Sequence, residues 1–302
     1  MNRSTLHSSL TRLHLLFYCC CKYLKIPITP VFFFDGPLHP PFKCNIKIKT
    51  DTIQYYNDAK CMIIGFGWEI HTAPGEAEAE LAECNARGIL DCVLSNDVDT
   101  LIFGAQHIAC LTKPDSRKDD IVIYSAVAIE NDDRLGLNCE GLILIALVSG
   151  GDYHKGIECA GIQTGIALAR AGYGSSLAAI YQQYTGEERS QHLIKWQEDV
   201  QYELRTNASG YLEHRQPSIA KKIDDSFPNL QVLDYYLNPI TSFSTGAPLN
   251  TEFWGPRNPR IGMLAQFCQE KLWSDCKELF QQLLKHLWPG IAFRQFSLVG
   301  KQ

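Results

Sequence analysis

The sequence predicts an α/β fold, a mostly parallel sheet flanked by helices and followed by a helical extension. Three observations carry that prediction. Ile28 to Phe34 is rich in apolar and aromatic side chains and stops at the sharp turn Asp35-Gly36-Pro37, as a buried strand does. Cys92-Val93-Leu94 is a second short apolar run of the kind that open α/β sheets bury on both faces, and Asp97 and Asp99 lie just past its end. Trp68 to His71 reads as a third strand and leads directly into a helix opened by Ala73-Pro74-Gly75.

In order, residues 10–24 read as a helix with Leu13, Leu16, Phe17 and Cys20 at helical spacing, ended by Pro27. After the first strand, roughly 38–52 is a short basic link. Residues 51–66 form a helix through Ile53, Tyr56, Cys61 and Ile64. In the next helix Pro74 suits the first position, where a missing N–H costs nothing, and Glu76 and Glu78 fall where the helix dipole favours negative charge. If the segment after Leu94 stays extended, Asp97 and Asp99 point to one side. His107–Thr112 and Ile121–Tyr124 make a strand pair around a polar loop at 113–120. Glu140 to Val148 is a buried helix that ends in Ser149-Gly150-Gly151-Asp152-Tyr153, where the glycines let backbone approach a ligand.

Residues 156–172 form a glycine-punctuated helix pair, and 188–207 an amphipathic helix with Leu193, Trp196 and Val200 inward. The segment 226–254 reads as irregular, and closing helices at 261–268 and 271–287 stop before Trp288-Pro289-Gly290.

At 302 residues and 45% hydrophobic content the chain holds one large α/β domain, or a smaller one with a helical extension. Twelve cysteines include no C-x-x-C pair, and Cys19, Cys20 and Cys21 are adjacent, which points to reduced thiols in the cytosol or nucleus. Apolar runs at 13–21 and 31–34 are too short to span a bilayer, so no membrane partner is expected. Zinc-type spacing, a Walker A loop and a dinucleotide fingerprint are absent from the sequence. Net charge is −5 but unevenly spread: residues 1–50 carry seven Lys or Arg against one acid, and 255–302 carry seven against three. The middle is at −15 by difference, which separates a carboxylate cluster from a basic rim suited to phosphates.

Glu76, Glu78, Asp97 and Asp99 converging at one sheet edge would repel one another at neutral pH. All-oxygen ligand sets select hard cations such as Mg2+ or Mn2+, and two such ions serve in-line phosphodiester cleavage. Glu80 and Glu83 read equally well as a solvated acidic face.

Ala-Pro-Gly-Glu-Ala-Glu-Ala at 73–79, followed by a strand and Ser-x-Asp-x-Asp at 95–99, strongly resembles the internal nuclease region of the XPG/flap-endonuclease family. The resemblance runs from about residue 8 to 294 and implies a PIN-like fold. It divides the chain into a partial N-terminal nuclease region (1–50), the internal nuclease region (51–135), a helix–two-turn–helix (136–207) and a helical C-terminal extension (208–302). Phe32 to Gly36 is similar to the end of the family's N-terminal nuclease region, which makes Asp35 a metal-site carboxylate; Asp152 matches its last active-site aspartate. The implied site is Asp35, Glu76, Glu78, Asp97, Asp99 and Asp152 around two Mg2+ ions, with Mn2+ able to substitute.

Lys43 and Lys47 are implied phosphate contacts, as are Gly156, Gly161, Gln163 and Thr164 in the helix–two-turn–helix, which in the family holds a duplex arm and a monovalent cation, K+. Two departures stand out there: Cys159 occupies a glycine position, and Gln163 replaces a lysine. The family's first strand and first catalytic aspartate have no counterpart, so a truncated N-terminus is expected. The short 38–52 link and the tail landmarks resemble fungal Holliday-junction-resolvase-type members. The resemblance thus implies a structure-specific DNA endonuclease of repair and recombination, in the nucleus, acting on branched double-stranded DNA as a Holliday junction or flap, with a homodimer on junctions. The alternative is a catalytically impaired PIN-like protein that binds DNA or a partner.

Overall fold

The computed structural model describes residues 3–40, 42–43, 46–47, 53–97, 99–111 and 121–299. Its strands are β1 (Val31–Phe34), β2 (Phe42–Lys43), β3 (Ile46–Lys47), β4 (Glu69–Thr72), β5 (Val93–Leu94), β6 (His107–Leu111) and β7 (Ile121–Ser125). Helices α1 (Arg3–Tyr23), α2 (Ile53–Gly65), α3 (Ala77–Ala86), α4 (Asp99–Ile102), α5 (Ala126–Glu130) and α6 (Cys139–Ser149) fall between or after them. The rest is helical: α7 (Ile162–Arg170), α8 (Tyr173–Gln183), α9 (Gly186–Thr206), α10 (Pro217–Ala220), α11 (Leu230–Leu237), α12 (Ser242–Thr245), α13 (Ile261–Lys271), α14 (Cys276–Gln282) and α15 (Trp288–Val299). Two compact units result. One comprises residues 1–34, 49–72 and 248–302, the other 35–48 and 73–247.

In the first unit β1 and β4 pair in parallel, with Val31 opposite Glu69 and Phe34 opposite Thr72. Helix α1 buries Leu13, Phe17, Cys20 and Cys21 at helical spacing, with Leu24 just past its end, against Met62, Ile63 and Phe66 from α2 and its end. Phe66 stacks on Trp68 at 5.2 Å, and Phe17 meets Trp273 edge-on at 5.1 Å. Leu264, Cys268, Leu279, Leu283, Leu287 and Ile291 complete this core from the C-terminal helices. The predicted stop before Trp288 is corrected. Residues Leu283–Leu287 form one wide π-type turn, and α15 runs on through Pro289. A proline is tolerated there because it falls in the first turn of the resumed helix.

In the second unit β5 and β6 are parallel, β6 and β7 antiparallel, and β2 and β3 make a small antiparallel hairpin. The apolar helix α6 is its centre, burying Ile143, Leu144, Leu147 and Val148 against Leu168, Leu177, Trp196, Val200 and Leu233. Asn138 caps α6 by accepting from the Gly141 N–H at 2.9 Å. The expectation of irregular chain over 226–254 is also corrected: α11 forms because the Asn229 side chain accepts from the Gln231 and Val232 N–H groups at 3.1 Å, and Val232, Leu233 and Tyr236 face the core. Of the predicted 107–112 strand, Thr112 lies outside the described residues, as do 51 and 52 of the predicted 51–66 helix.

Candidate metal and nucleic-acid site

The N-terminus of α3 is held by a segment forty residues earlier. One Asp35 carboxylate oxygen accepts from the Ala77 N–H at 2.9 Å. The Gly36 N–H donates to Gly75 O at 2.7 Å, and the Leu38 N–H to Pro74 O at 3.0 Å. This approach requires glycine at 36, since a Cβ there would lie 1.7 Å from Ala73 O. Orphan N–H groups and the helix dipole both favour a carboxylate at this point. Glu76 occupies the cap position with extended backbone, and its own side chain does not cap. Instead that side chain is buried, with 6% exposure, and accepts a hydrogen bond from the Tyr153 hydroxyl. Glu78 follows, half-buried, in the first turn.

Tyr153 brings the Asp152 loop into the same neighbourhood. The loop is closed by the Ile157 N–H on Val148 O at 2.8 Å and the Gly151 N–H on His154 O at 2.9 Å. Gly150 and Gly156 take φ of 91° and 74°, and a Cβ on Gly156 would sit 2.4 Å from Gly150 N. The Tyr153 ring meets Tyr235 and Tyr236 edge-on at 5.7 and 5.6 Å. A cleft of about 230 Å³ opens beside Glu76, lined by His39, Phe103, Tyr235, Pro239 and Ile240.

Asp97 and Asp99 are not on an extended segment, which corrects the sequence expectation. One Asp97 carboxylate oxygen accepts from the Asp99 N–H at 3.0 Å, and Asp99 opens α4. A short acidic side chain that bonds backbone two residues on makes such a turn locally favourable. Val93, Ala105 and Ile108 pack with Ala82 of α3, and Leu101 and Phe103 lie against them. Phe103 also lines the cleft beside Glu76. The six predicted carboxylates therefore belong to one compact unit, on elements in contact. Direct contacts join Asp35 to the start of α3, Glu76 to Tyr153 next to Asp152, and Asp97 to Asp99. Among the described residues no three His, Cys, Asp or Glu side chains converge closely enough to hold a metal ion. The chemistry of the donor set, carboxylate oxygens alone, fits a hard divalent cation.

Glu80 and Glu83 do not form a solvated acidic face. Glu80 has 0% exposure and accepts from the Ser242 N–H at 2.7 Å. Glu83 accepts from the Thr241 hydroxyl and pairs with Arg87 at 2.6 Å. Both fasten α3 to α12. Their partners lie about 160 residues away along the chain, so no local signal announces them.

In the helix–two-turn–helix, Cys159 takes φ of 67°, the left-handed conformation that suits glycine at this position. Gly161 is the N-cap of α7, and Gln163 is exposed. Thr164 departs from the expected phosphate contact: its side chain is buried and donates to Gln216 Oε1 at 2.9 Å, turned inward because it starts the apolar face of α7. A cation absent from the sequence expectation stands beside this turn. Lys222 Nζ lies 3.2 Å from Cys159 Sγ and 3.1 Å from Glu158. Only the folded chain brings residue 222 to 159. Lys43 and Lys47 fall on β2 and β3, whose side chains lie outside the described part of the structure.

A capped acidic helix start, a Gly-Asp-Tyr loop and paired aspartates behind a parallel strand belong to a PIN-like α/β fold. Residues 67–152 match the XPG I-region. The chain is 27% identical over 240 residues to the DNA excision repair protein ERCC-5 of Mus musculus, which covers 78% of this chain and 19% of that protein. A solved structure of the Holliday junction-resolving enzyme GEN1 with product DNA and Mg2+ aligns with a TM-score of 0.72 at 33% identity, over 92% of this chain and 64% of that one. The eukaryotic junction-resolving enzyme GEN-1 binding with potassium aligns equally well, with a TM-score of 0.72 at 32% identity and the same coverage of 92% and 64%. The chain thus spans about a fifth of the length of the curated relative and under two thirds of the solved chains.

Proposed function

We propose that this chain is the nuclease core of a metal-dependent, structure-specific endonuclease that cleaves phosphodiester bonds in branched DNA. The observation that carries the reading is the joining of three acidic segments at α3: Asp35 caps it, Glu76 opens it, and Tyr153 ties Glu76 to the loop of Asp152. Asp35, Glu76, Glu78, Asp97, Asp99 and Asp152 would hold two Mg2+ or Mn2+ ions. When bound, such ions supply Lewis acidity toward the scissile phosphate and a lowered pKa for an attacking water. Tyr153 fixes the orientation of the Glu76 carboxylate, and the glycines of the 150–156 loop keep side chains away from the backbone next to Asp152.

The turn at 156–164 holds a duplex arm through the backbone amides at the start of α7, with a K+ ion as the monovalent partner. Lys222 supplies there the positive charge that position 163 lacks. The substrate is a Holliday junction or flap, the place of action is the nucleus, and two copies act on one junction. The second reading, a catalytically impaired protein that binds DNA, draws on the left-handed Cys159 and on Gln163.

The test is cleavage of labelled flap, splayed-arm and four-way substrates with Mg2+, by this chain and by its Asp99→Asn variant. Cleavage that the variant loses supports the endonuclease. Mg2+-independent binding with no cleavage by either favours the second reading.

A further inference from the structure

The sequence carries twelve cysteines, and the structure gives them different settings. Cys20, Cys21, Cys84, Cys139 and Cys268 lie largely out of water. Burial pushes their thiols up, Cys139 to about 11 and Cys21, Cys84 and Cys268 to about 12. Such thiols stay protonated and inert. Cys61, Cys92, Cys159 and Cys276 are exposed. The Cys92 sulfur faces the Val93 carbonyl at 3.7 Å, and the Cys276 sulfur meets the Gln269 amide at 3.2 Å. Among the described residues, Cys159 is the exposed cysteine whose sulfur meets a cation: the Lys222 ammonium donates to its Sγ at 3.2 Å. We propose that Cys159 is an oxidation site for peroxide, with Lys222 as the cation that holds its thiolate and then its sulfenate.

The fold builds this pair from distant segments. Cys159 sits on the turn before Gly161, the N-cap of α7, and Lys222 follows α10, 63 residues further along the chain. The Lys222 side chain keeps 32% exposure and also pairs with Glu158 at 3.1 Å, so its ammonium is pinned against the turn. Hydrogen bonding to Cys159, and then to Glu158, raises the Lys222 pKa, and the positive charge persists at neutral pH. Glu158 competes for that charge, but its side chain is 82% exposed and screened by water. A cation held at an exposed sulfur favours the thiolate, which is the nucleophilic form. The thiolate attacks one peroxide oxygen, so that an S–O bond forms as the O–O bond breaks. Sulfur gives up two electrons and becomes a sulfenic acid, and the departing hydroxide takes a proton from solvent and leaves as water. When ionised, the product carries an anionic oxygen on the atom that Lys222 contacts. None of these residues belongs to the carboxylate set, so the inference stands apart from the nuclease reading.

The test uses the whole chain, reduced and free of DNA. It is exposed to hydrogen peroxide together with a cyclic β-diketone that traps sulfenic acids, and peptide mass spectrometry follows each cysteine over time. Cys159 is expected to be labelled ahead of Cys61, Cys92 and Cys276. Lys222→Met should slow Cys159 by about threefold, the scale of a partly exposed charge pair acting on a thiolate, and leave Cys61 unchanged. Glu158→Gln frees the ammonium for the sulfur and should speed Cys159, a change that exposure alone does not produce. Labelling of Cys159 no faster than that of Cys61, Cys92 and Cys276 overturns the proposal, and so does a Cys159 rate that Lys222→Met leaves unchanged. Should Lys222→Met not fold, the order of labelling in the native chain and the Glu158→Gln rate decide: a Cys159 that is not first, or a rate that does not rise, overturns it.

Discussion

The two compact units of this chain have opposite characters. The unit of residues 1–34, 49–72 and 248–302 carries 13 basic and 7 acidic side chains, net +6, around an aromatic core of Phe17, Phe66, Trp68 and Trp273. The unit of residues 35–48 and 73–247 carries 15 basic and 26 acidic side chains, net −11, and it buries carboxylates at Glu76, Glu80 and Glu203. Buried acids survive only with hydrogen-bond donors, and each has them: Tyr153 for Glu76, the Ser242 N–H for Glu80, and Ser209 for Glu203. The contrast teaches that both units bury an apolar core, whereas only the second adds buried carboxylates held by ordered polar contacts.

The contrast breaks most visibly in the aromatic core. Phe17→Ala removes a side chain with 0% exposure and is expected to cost about 3–5 kcal/mol, read by urea unfolding. A metal-induced rise in Tm should persist in that variant, because none of the carboxylates has changed. Next in size is the metal itself. Mn2+ or Mg2+ at a hundred times its Kd is expected to stabilise the chain by about 2.7 kcal/mol, measured as a rise in Tm. Asp97→Asn with Asp99→Asn should remove most of that rise, and an undiminished rise would rule these two out as ligands.

Glu80→Ala sharpens the comparison inside α3. It leaves the buried Ser242 N–H without its acceptor and is expected to cost about 1–3 kcal/mol while sparing metal binding. If metal binding fell as far as in the Asp97, Asp99 variant, Glu80 would belong to the ligand set. The smallest effect is at the duplex turn. Cys159→Gly relieves a left-handed L-residue and should gain about 1 kcal/mol. Gln163→Lys should steepen the salt dependence of DNA binding by roughly one phosphate contact, read as the slope of log K against log salt.

Much of the site was legible in advance because its signals are local. Pro74 before Glu76, the apolar run before Asp97 and the glycines around Asp152 each mark a turn or helix end within a few residues. Cys159 in a glycine position was legible too, and its φ of 67° bears that out. The same local rules misjudged Asp99, where the Asp97 side chain starts a helix rather than prolonging a strand. Thr164, a phosphate contact by resemblance alone, turns its hydroxyl to Gln216.

By itself, then, the sequence determined most of the order of strands and helices and the acidic motif, since periodicity, caps and turn chemistry act over one or two turns of chain. Tertiary structure alone decided which glutamates of α3 are anchors, because Thr241 and Ser242 reach Glu83 and Glu80 from about 160 residues away. It alone joined α1 to the C-terminal helices, so that Lys25 and Lys285 line one groove, and carried Lys222 to Cys159. Those pairings depend on burying apolar surface between distant segments, a many-body outcome that no short window of residues encodes.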